Sequence, residues 1–121
     1  MKKLTTLLAL APAVLGLNTA VLSAGENEGP REPAENWRQH CQRCHGADGS
    51  GSTRIGQRLG LRDYTDAEVQ KEFTDEEIIK IIKEGVKDAR GREVKPSYTD
   101  VMSEEEIKAM VVYIRSMAKE E

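Results

Sequence analysis

The clearest hydrophobic pattern in the chain lies near its carboxyl end. Apolar side chains recur there at intervals of three and four residues, at Ile107, Met110, Val111, Ile114 and Met117. This spacing places them on one face of an α-helix. Just upstream, Ser103 precedes Glu106 by three positions, which is the spacing of a capping box at a helix start. Together the two signals predict a helix from Ser103 to about Ala118.

A second pattern of the same kind lies in the middle of the chain. Three apolar side chains share one helical face there, Ile78, Ile81 and Ile82. Thr74 and Glu77 form another capping-box pair before them, and Gly85 is placed to end the helix. A third pair, Thr65 and Glu68, predicts one more helix start. Because no stretch alternates strictly between apolar and polar residues, we predict an all-α fold.

Upstream of these helices the signals come from proline and glycine. Pro33 fits the first turn of a helix, which we expect to run from about Ala34 into the cysteine-containing segment at 41–45. Five glycines follow within fifteen positions, at Gly46, Gly49, Gly51, Gly56 and Gly60. They predict a long loop, and a loop of that length without secondary structure usually binds something.

The amino terminus has the layout of a secretory signal. Lys2 and Lys3 precede an apolar run, and the small residues Ser23 and Ala24 follow it. We expect residues 1–24 to be removed as a signal peptide, residues 25–32 to form a flexible leader, and the domain to span 33–121. An uncleaved membrane anchor is the alternative. With cleavage, the protein is expected to be periplasmic or secreted and to have no membrane span.

Composition limits what the remaining chain can be. It has one Trp, one Phe and three Tyr, which is little bulk for a core, so a buried cofactor is expected to supply apolar mass. Without Lys2 and Lys3, 16 basic residues face 21 acidic ones, a net charge of −5 that argues against nucleic-acid binding. The arginines concentrate within residues 31–62, where they could steer an acidic partner. An ordinary solvated surface explains them equally well.

Residues 41–45 read Cys-Gln-Arg-Cys-His and carry the most specific chemistry. Two thiols at this spacing can add across the two vinyl groups of a haem, and the adjacent histidine can then reach the iron. We therefore predict Cys41 and Cys44 as the covalent anchors of one haem c and His45 as the proximal iron ligand. They are the only cysteines in the chain.

Three other interpretations of the two cysteines account for this segment less well than haem does. A disulfide between Cys41 and Cys44 would close too short a loop to stabilise the fold much. A zinc site needs four converging ligands, and His40 and His45 lie too close to the thiols for that. A thioredoxin-like redox pair would need strands around it. Covalent haem is the prediction that remains.

The order of these features resembles the class I c-type cytochromes over nearly the whole chain after the signal segment. The matching features are a helix ending in Cys41–His45, a middle helix closing at Gly85, a loop with Pro96 and Tyr98, and the last helix. The resemblance implies a small cytochrome c fold, with about four helices around one covalently attached haem. It also implies a contact between Trp37 and Tyr113, where the first and last helices pack.

The resemblance leaves the sixth iron ligand open. The family usually places a methionine in the loop before the last helix, and this chain has Lys95 at that position. Met102 is the other candidate, although it could instead pack on Ile107 as a hydrophobic staple. A neutral lysine amine, the Met102 thioether and an open site are all possible outcomes. We interpret His40 as an exposed residue or a neighbour of a haem propionate.

Two classes of function follow from these alternatives. A six-coordinate haem predicts a carrier that docks briefly, through the arginine-bearing surface, with a donor and an acceptor redox protein. It moves single electrons between them and catalyses no reaction. An open or labile sixth position predicts a sensor of gases or peroxide, or a minor peroxidase. A haem subunit of a larger redox complex is a third alternative. As a carrier, the protein is expected to be a monomer or to form transient complexes.

Overall fold

The computed structural model describes residues 29–119, in which the first and last helices pack together. The signal peptide predicted at 1–24 and residues 25–28 of the predicted leader lie outside the described residues. Within residues 29–119, no helix is long and apolar enough to cross a membrane.

The first helical stretch consists of three segments that run end to end. They are α1 at Pro33–Asn36, a π-helical turn at Trp37–Cys41, and α2 at Gln42–His45. Pro33 occupies the first turn, where its missing N–H costs nothing. The backbone N–H of Gln42 donates to the carbonyl of Trp37, five residues back. The predicted helix into the cysteine motif is confirmed, whereas its π-helical turn was not foreseen.

The glycine-rich segment is not the uninterrupted loop that the sequence predicted. A short helix, α3, spans Arg54–Leu59. The Thr53 hydroxyl caps it by accepting a hydrogen bond from the N–H of Gly56, and donates to the carbonyl of Cys44 at 2.5 Å. Gly60 ends it in the left-handed conformation, with φ of 64°. The prediction was wrong because an apparent loop glycine, Gly56, lies inside the helix where it packs on backbone.

The next helix, α4, spans Ala67–Gln70, but it does not begin as predicted. Its cap is Asp66, whose carboxylate accepts hydrogen bonds from the N–H groups of Glu68 and Val69. Thr65 instead donates its hydroxyl to Asp63 at 2.6 Å. The capping-box prediction for Thr65 was wrong because the neighbouring aspartate is a better placed acceptor, one residue later.

The two amphipathic helices are confirmed. The α5 helix spans Asp75–Glu84. The α6 helix spans Glu104–Arg115 and is slightly shorter than expected. Both helices start with complete capping boxes. Gly85 ends α5 with φ of 74°. A side chain there would meet the carbonyl of Lys95 at 2.5 Å, so glycine is required for both reasons.

A small antiparallel hairpin joins α5 to the loop before α6. Its strands are β1 at Val86–Lys87 and β2 at Glu93–Lys95, with Val86 opposite Lys95. Asp88 holds the connecting turn by accepting from the N–H groups of Arg90 and Arg92, both at 2.9 Å. Strands of two and three residues are too short to carry an alternating pattern, so the sequence did not predict them.

The core is built mainly between the first helical stretch, α5 and α6. Trp37, Ile107 and Met110 are almost fully buried in it. The rings of Trp37 and Tyr113 lie 6.0 Å apart at 57°, which confirms the predicted contact. The described residues form five helical stretches instead of about four, together with the hairpin. The fold is therefore mostly helical, as predicted.

Glu106 fixes the start of α6 to the chain before the first helix. Its side chain is only 6% exposed, and it accepts hydrogen bonds from the backbone N–H groups of Ser103 and Arg31, each at 2.7 Å. Those hydrogen bonds, that of Ser103 above all, hold the pKa of Glu106 below its ordinary value of 4.5.

Glu106 is therefore expected to make the fold sensitive to acid. Because its carboxylate is favoured in the folded state, its stabilisation is complete above the ordinary pKa and is lost as pH falls through the lower folded-state value. Between about pH 5 and pH 3, the wild type should lose more free energy of unfolding in urea than Glu106→Gln does. Glu105→Gln, on the exposed neighbour, serves as the control. Equal losses in wild type and Glu106→Gln would contradict this assignment.

Candidate cofactor site

A cavity of about 710 Å³ lies between the first helical stretch, α5 and the hairpin. Its wall includes Trp37, Tyr64, Ile78, Ile82 and Met110. Cavities of about 300–1,000 Å³ with mostly apolar walls are typical sites for organic ligands and cofactors. The protein therefore has room for a large, mostly apolar group beside its core.

All three side chains of the cysteine motif lie on the wall of this cavity. Cys41, Cys44 and His45 line it together, which brings the predicted anchors and the predicted ligand to one place. Both thiols are half-buried and neither is in a disulfide. Burial raises the pKa of the Cys41 thiol to about 11, so this thiol is protonated at neutral pH.

The surroundings of the two thiols argue against the alternatives to haem. Within residues 29–119, no three His, Cys, Asp or Glu side chains converge as a metal ion requires, so a zinc site is not formed there. The sheet in the same range is the antiparallel hairpin, which differs from the strand-helix-strand setting of a thioredoxin-like pair. Two free thiols facing a cavity fit attachment to a cofactor inside it.

His45 is held by two aromatic rings. Tyr64 stacks on its imidazole with ring centroids 5.1 Å apart, and the Trp37 ring lies 5.6 Å away. Its buried Nδ1 atom has no hydrogen-bond partner among the described residues. Burial, and then the positive charge of Lys95, lower the pKa of His45 to about 4. A neutral imidazole with an unpartnered buried nitrogen is suited to ligate a metal, so these residues fit a haem.

Both candidates for the sixth ligand also line the cavity. Lys95, at the end of β2, donates its Nζ atom to the carbonyls of Ile81 at 2.8 Å and Pro96 at 3.0 Å. Met102 is 4% exposed and belongs to the core cluster that includes Ile107, in agreement with its alternative interpretation as a staple. The ammonium of Lys95 is thus already hydrogen-bonded, whereas the thioether of Met102 requires no such partner.

His40 also lies on the cavity wall and is half-buried, so its interpretation as an exposed residue was wrong. Its ring lies 5.3 Å from that of Tyr98, and its carbonyl accepts a hydrogen bond from the Tyr98 hydroxyl at 2.9 Å. This hydrogen bond ties the loop before α6 to the first helical stretch, across 58 residues of sequence.

Tyr64 and Phe73 are site residues that the sequence did not predict. Both line the cavity, and their rings lie 5.7 Å apart. The guanidinium of Arg115 stands 4.9 Å from the centre of the Phe73 ring and helps to hold it. The sequence did contain one signal for them. Because the chain has few aromatic residues, each of them is expected to be used in packing.

The sequence predicted an arginine-bearing rim near the cofactor. Among the described arginines, Arg62 alone lines the cavity. Arg62 pairs with Glu72 at 3.4 Å, and Arg38 pairs with Glu35 at 2.6 Å away from the cavity wall. The cavity mouth is instead marked by partly exposed apolar side chains, Leu59, Ile81, Val86 and Val94.

Comparison with known proteins agrees with this geometry. Residues 28–114 match the family described as cytochrome C oxidase, cbb3-type, subunit III. A solved structure named KustC0563 c-type cytochrome is 35% identical, with a TM-score of 0.62 over 74% of this chain and 100% of that one. A mutant of Kustc0563 is 34% identical, with a TM-score of 0.60 over 72% and 99% of the two chains. No curated protein sequence matches. The chain belongs to this family of c-type cytochromes, whose members bind haem.

Proposed function

We propose that this protein is a monohaem electron carrier whose haem c is attached through Cys41 and Cys44, with His45 as the proximal ligand. The observation that carries the proposal is the convergence of two free thiols and an unpartnered, buried imidazole nitrogen on one cavity. Haem iron supplies a one-electron couple when bound. Family membership supports electron transfer. Cys41, Cys44 and His45 are the side chains of this chain that would hold the haem for that purpose.

The protein's part in that function is to hold its ligand still and to keep water away. Tyr64 and Trp37 fix the orientation of His45, and the Trp37 indole N–H is itself tied to the carbonyl of Gly46 at 3.0 Å. A rigid ligand set limits the rearrangement that accompanies a change in charge. Apolar walls from α5 and α6 lower solvent access, which favours the less charged, reduced state.

The donor and acceptor proteins are expected to dock at the cavity mouth. The partly exposed side chains Leu59, Ile81, Val86 and Val94 surround it, and charged residues stand close by, including Arg62, Lys80 and Glu77. A small apolar patch with a charged rim suits brief contacts between proteins. We propose a periplasmic or secreted location for these encounters, in agreement with the signal layout at 1–24.

For the sixth position, we propose Met102 over Lys95. Ligation by Lys95 would require its amine to lose a proton and to leave the carbonyls of Ile81 and Pro96. Met102 also lines the cavity, and a thioether has no proton to lose.

Absorption spectroscopy of the purified protein tests the proposed function. Reduced protein in alkaline pyridine should give the spectrum of a haem with both vinyl groups converted to thioethers, at one haem per chain. A chain purified from a cell that matures c-type cytochromes, yet without covalent haem, would rule the proposal out.

Two substitutions test the sixth ligand. Met102→Leu conserves volume in the core, so the fold should persist while the long-wavelength methionine-to-iron band of the oxidised form disappears. The reduction potential should fall, because a His/Met haem has a raised potential. Lys95→Leu is the matched control and should keep the band. If Met102→Leu keeps it too, Met102 is not the ligand.

A further inference from the structure

If Met102 is the sixth ligand, the ammonium group of Lys95 on the cavity wall needs another explanation. Its side chain is half-buried on the cavity wall, and its Nζ atom stands 4.4 Å above the centre of the Tyr98 ring. An ammonium has three N–H donors, of which the carbonyls of Ile81 and Pro96 take two. Burial lowers the pKa of Lys95 to about 8, which still leaves the side chain mostly a cation at neutral pH, and the carbonyls and the ring favour that charged form.

Within the described part of the chain, this cation forms no ion pair with a carboxylate. Ion pairs among residues 29–119 join Lys71, Lys83 and several arginines to acidic side chains, but none involves Lys95. The charge of Glu93 attracts Lys95 without forming an ion pair with it, so part of the cost of withdrawing this cation from water is not compensated. An anion inside the cavity would remove part of that cost.

The positive charge acts across the cavity. Lys95 lines the same cavity as Cys41 and His45, which belong to the first helical stretch. Lys95 therefore raises the electrostatic potential in the space next to the predicted proximal ligand. Lys80 also lines the cavity but is exposed, where water screens its charge.

We propose that Lys95 makes this cavity a binding site for small monovalent anions that compete with Met102 for the oxidised iron. Azide and nitrite are of the required class, because each carries one negative charge and a lone pair that can ligate a metal. Binding is an exchange of one ligand for another and transfers no electron. The inference rests on the proposed function, since it requires a haem in the cavity.

The experiment is an azide titration of the oxidised holoprotein, followed by absorption in the haem bands. Lys95→Leu should weaken azide binding about tenfold, the size expected for losing a hydrogen bond to a charged group. Lys95→Arg retains the charge and should stay within about threefold of wild type, as should Lys80→Leu. Imidazole, a neutral ligand, should bind wild type and Lys95→Leu equally, which also establishes that the variant cavity is intact.

Two results would overturn the inference. One is equal azide affinity in wild type and Lys95→Leu, including the case in which neither binds. The other is a marked gain of azide affinity in Lys95→Arg, because arginine cannot ligate iron and the gain would mean that the lysine amine itself had occupied the site. The pyridine spectrum, taken first, separates these outcomes from failure of the proposed function, in which no covalent haem is present.

Discussion

Replacing Cys41 and Cys44 together by alanine should abolish covalent haem in the purified protein. Both thiols stand on the cavity wall and neither is committed to a disulfide, so no other group among the described residues can form the thioether bonds. Haem staining of the denatured chain on a gel should be lost completely, and intact mass should equal that of the polypeptide. Because the cavity of about 710 Å³ would then lose its covalently held occupant, the free energy of unfolding in urea should also fall.

The matched control for this double variant is Arg43→Ala. Arg43 lies between the two cysteines, but its side chain is exposed and does not line the cavity. This variant should stain for haem as the wild type does. A double cysteine variant whose haem survives denaturation and acid extraction would refute attachment through these residues.

Gly56→Ala should be strongly destabilising, although it adds only one methyl group. Alanine in a helix interior ordinarily gains about 1 kcal/mol over glycine. At this position, however, the added methyl would lie 2.6 Å from the carbonyl oxygen of Cys44 and closer still to that of Gly51. Both obstacles are backbone, so relief requires moving the cysteine motif or the loop. The clash should win, with a net loss of about 3 kcal/mol in the free energy of unfolding.

Urea unfolding of the holoprotein measures that loss, and Gln57→Ala provides the comparison. Gln57 is the next residue of α3 and is exposed, so its replacement should change stability by less than about 0.5 kcal/mol. The Gly56→Ala protein should also incorporate less haem per chain, because Cys44 is one of the two groups displaced. Wild-type stability and haem content in Gly56→Ala would show that α3 does not press on the motif.

The sequence predicted those elements whose signals come from residues close together in the chain. The starts of α5 and α6 were predictable because a capping box involves residues only three positions apart. The α3 helix was missed because Gly56, read locally, indicates a loop. A glycine is required there because the backbone of Gly51 and Cys44, which both precede the helix, lies against it in the folded chain.

The candidate site divides in the same way. Cys41, Cys44 and His45 could be identified from five consecutive residues, since the chemistry itself fixes their spacing. The stacking of Tyr64 on His45 could not be predicted, because a glycine-rich segment separates the two residues and the sequence does not define the path of that segment. Likewise, the place of Lys95 before the last helix could be recognised from the sequence, but its hydrogen bonds to two carbonyls could not. Those hydrogen bonds favour the interpretation of Lys95 as a fixed cation over its interpretation as an iron ligand.

The π-helical turn at Trp37–Cys41 has a consequence for comparing this chain with its relatives. A π-turn holds one more residue than an α-turn while the helix on either side keeps its direction. A relative with one residue fewer between its tryptophan and its first cysteine could therefore superimpose on this chain with an ordinary α-helix. An alignment that moves the compensating gap into the glycine-rich segment would pair the wrong side chains along this helix. For such a relative, the gap belongs inside the π-helical turn at Trp37–Cys41.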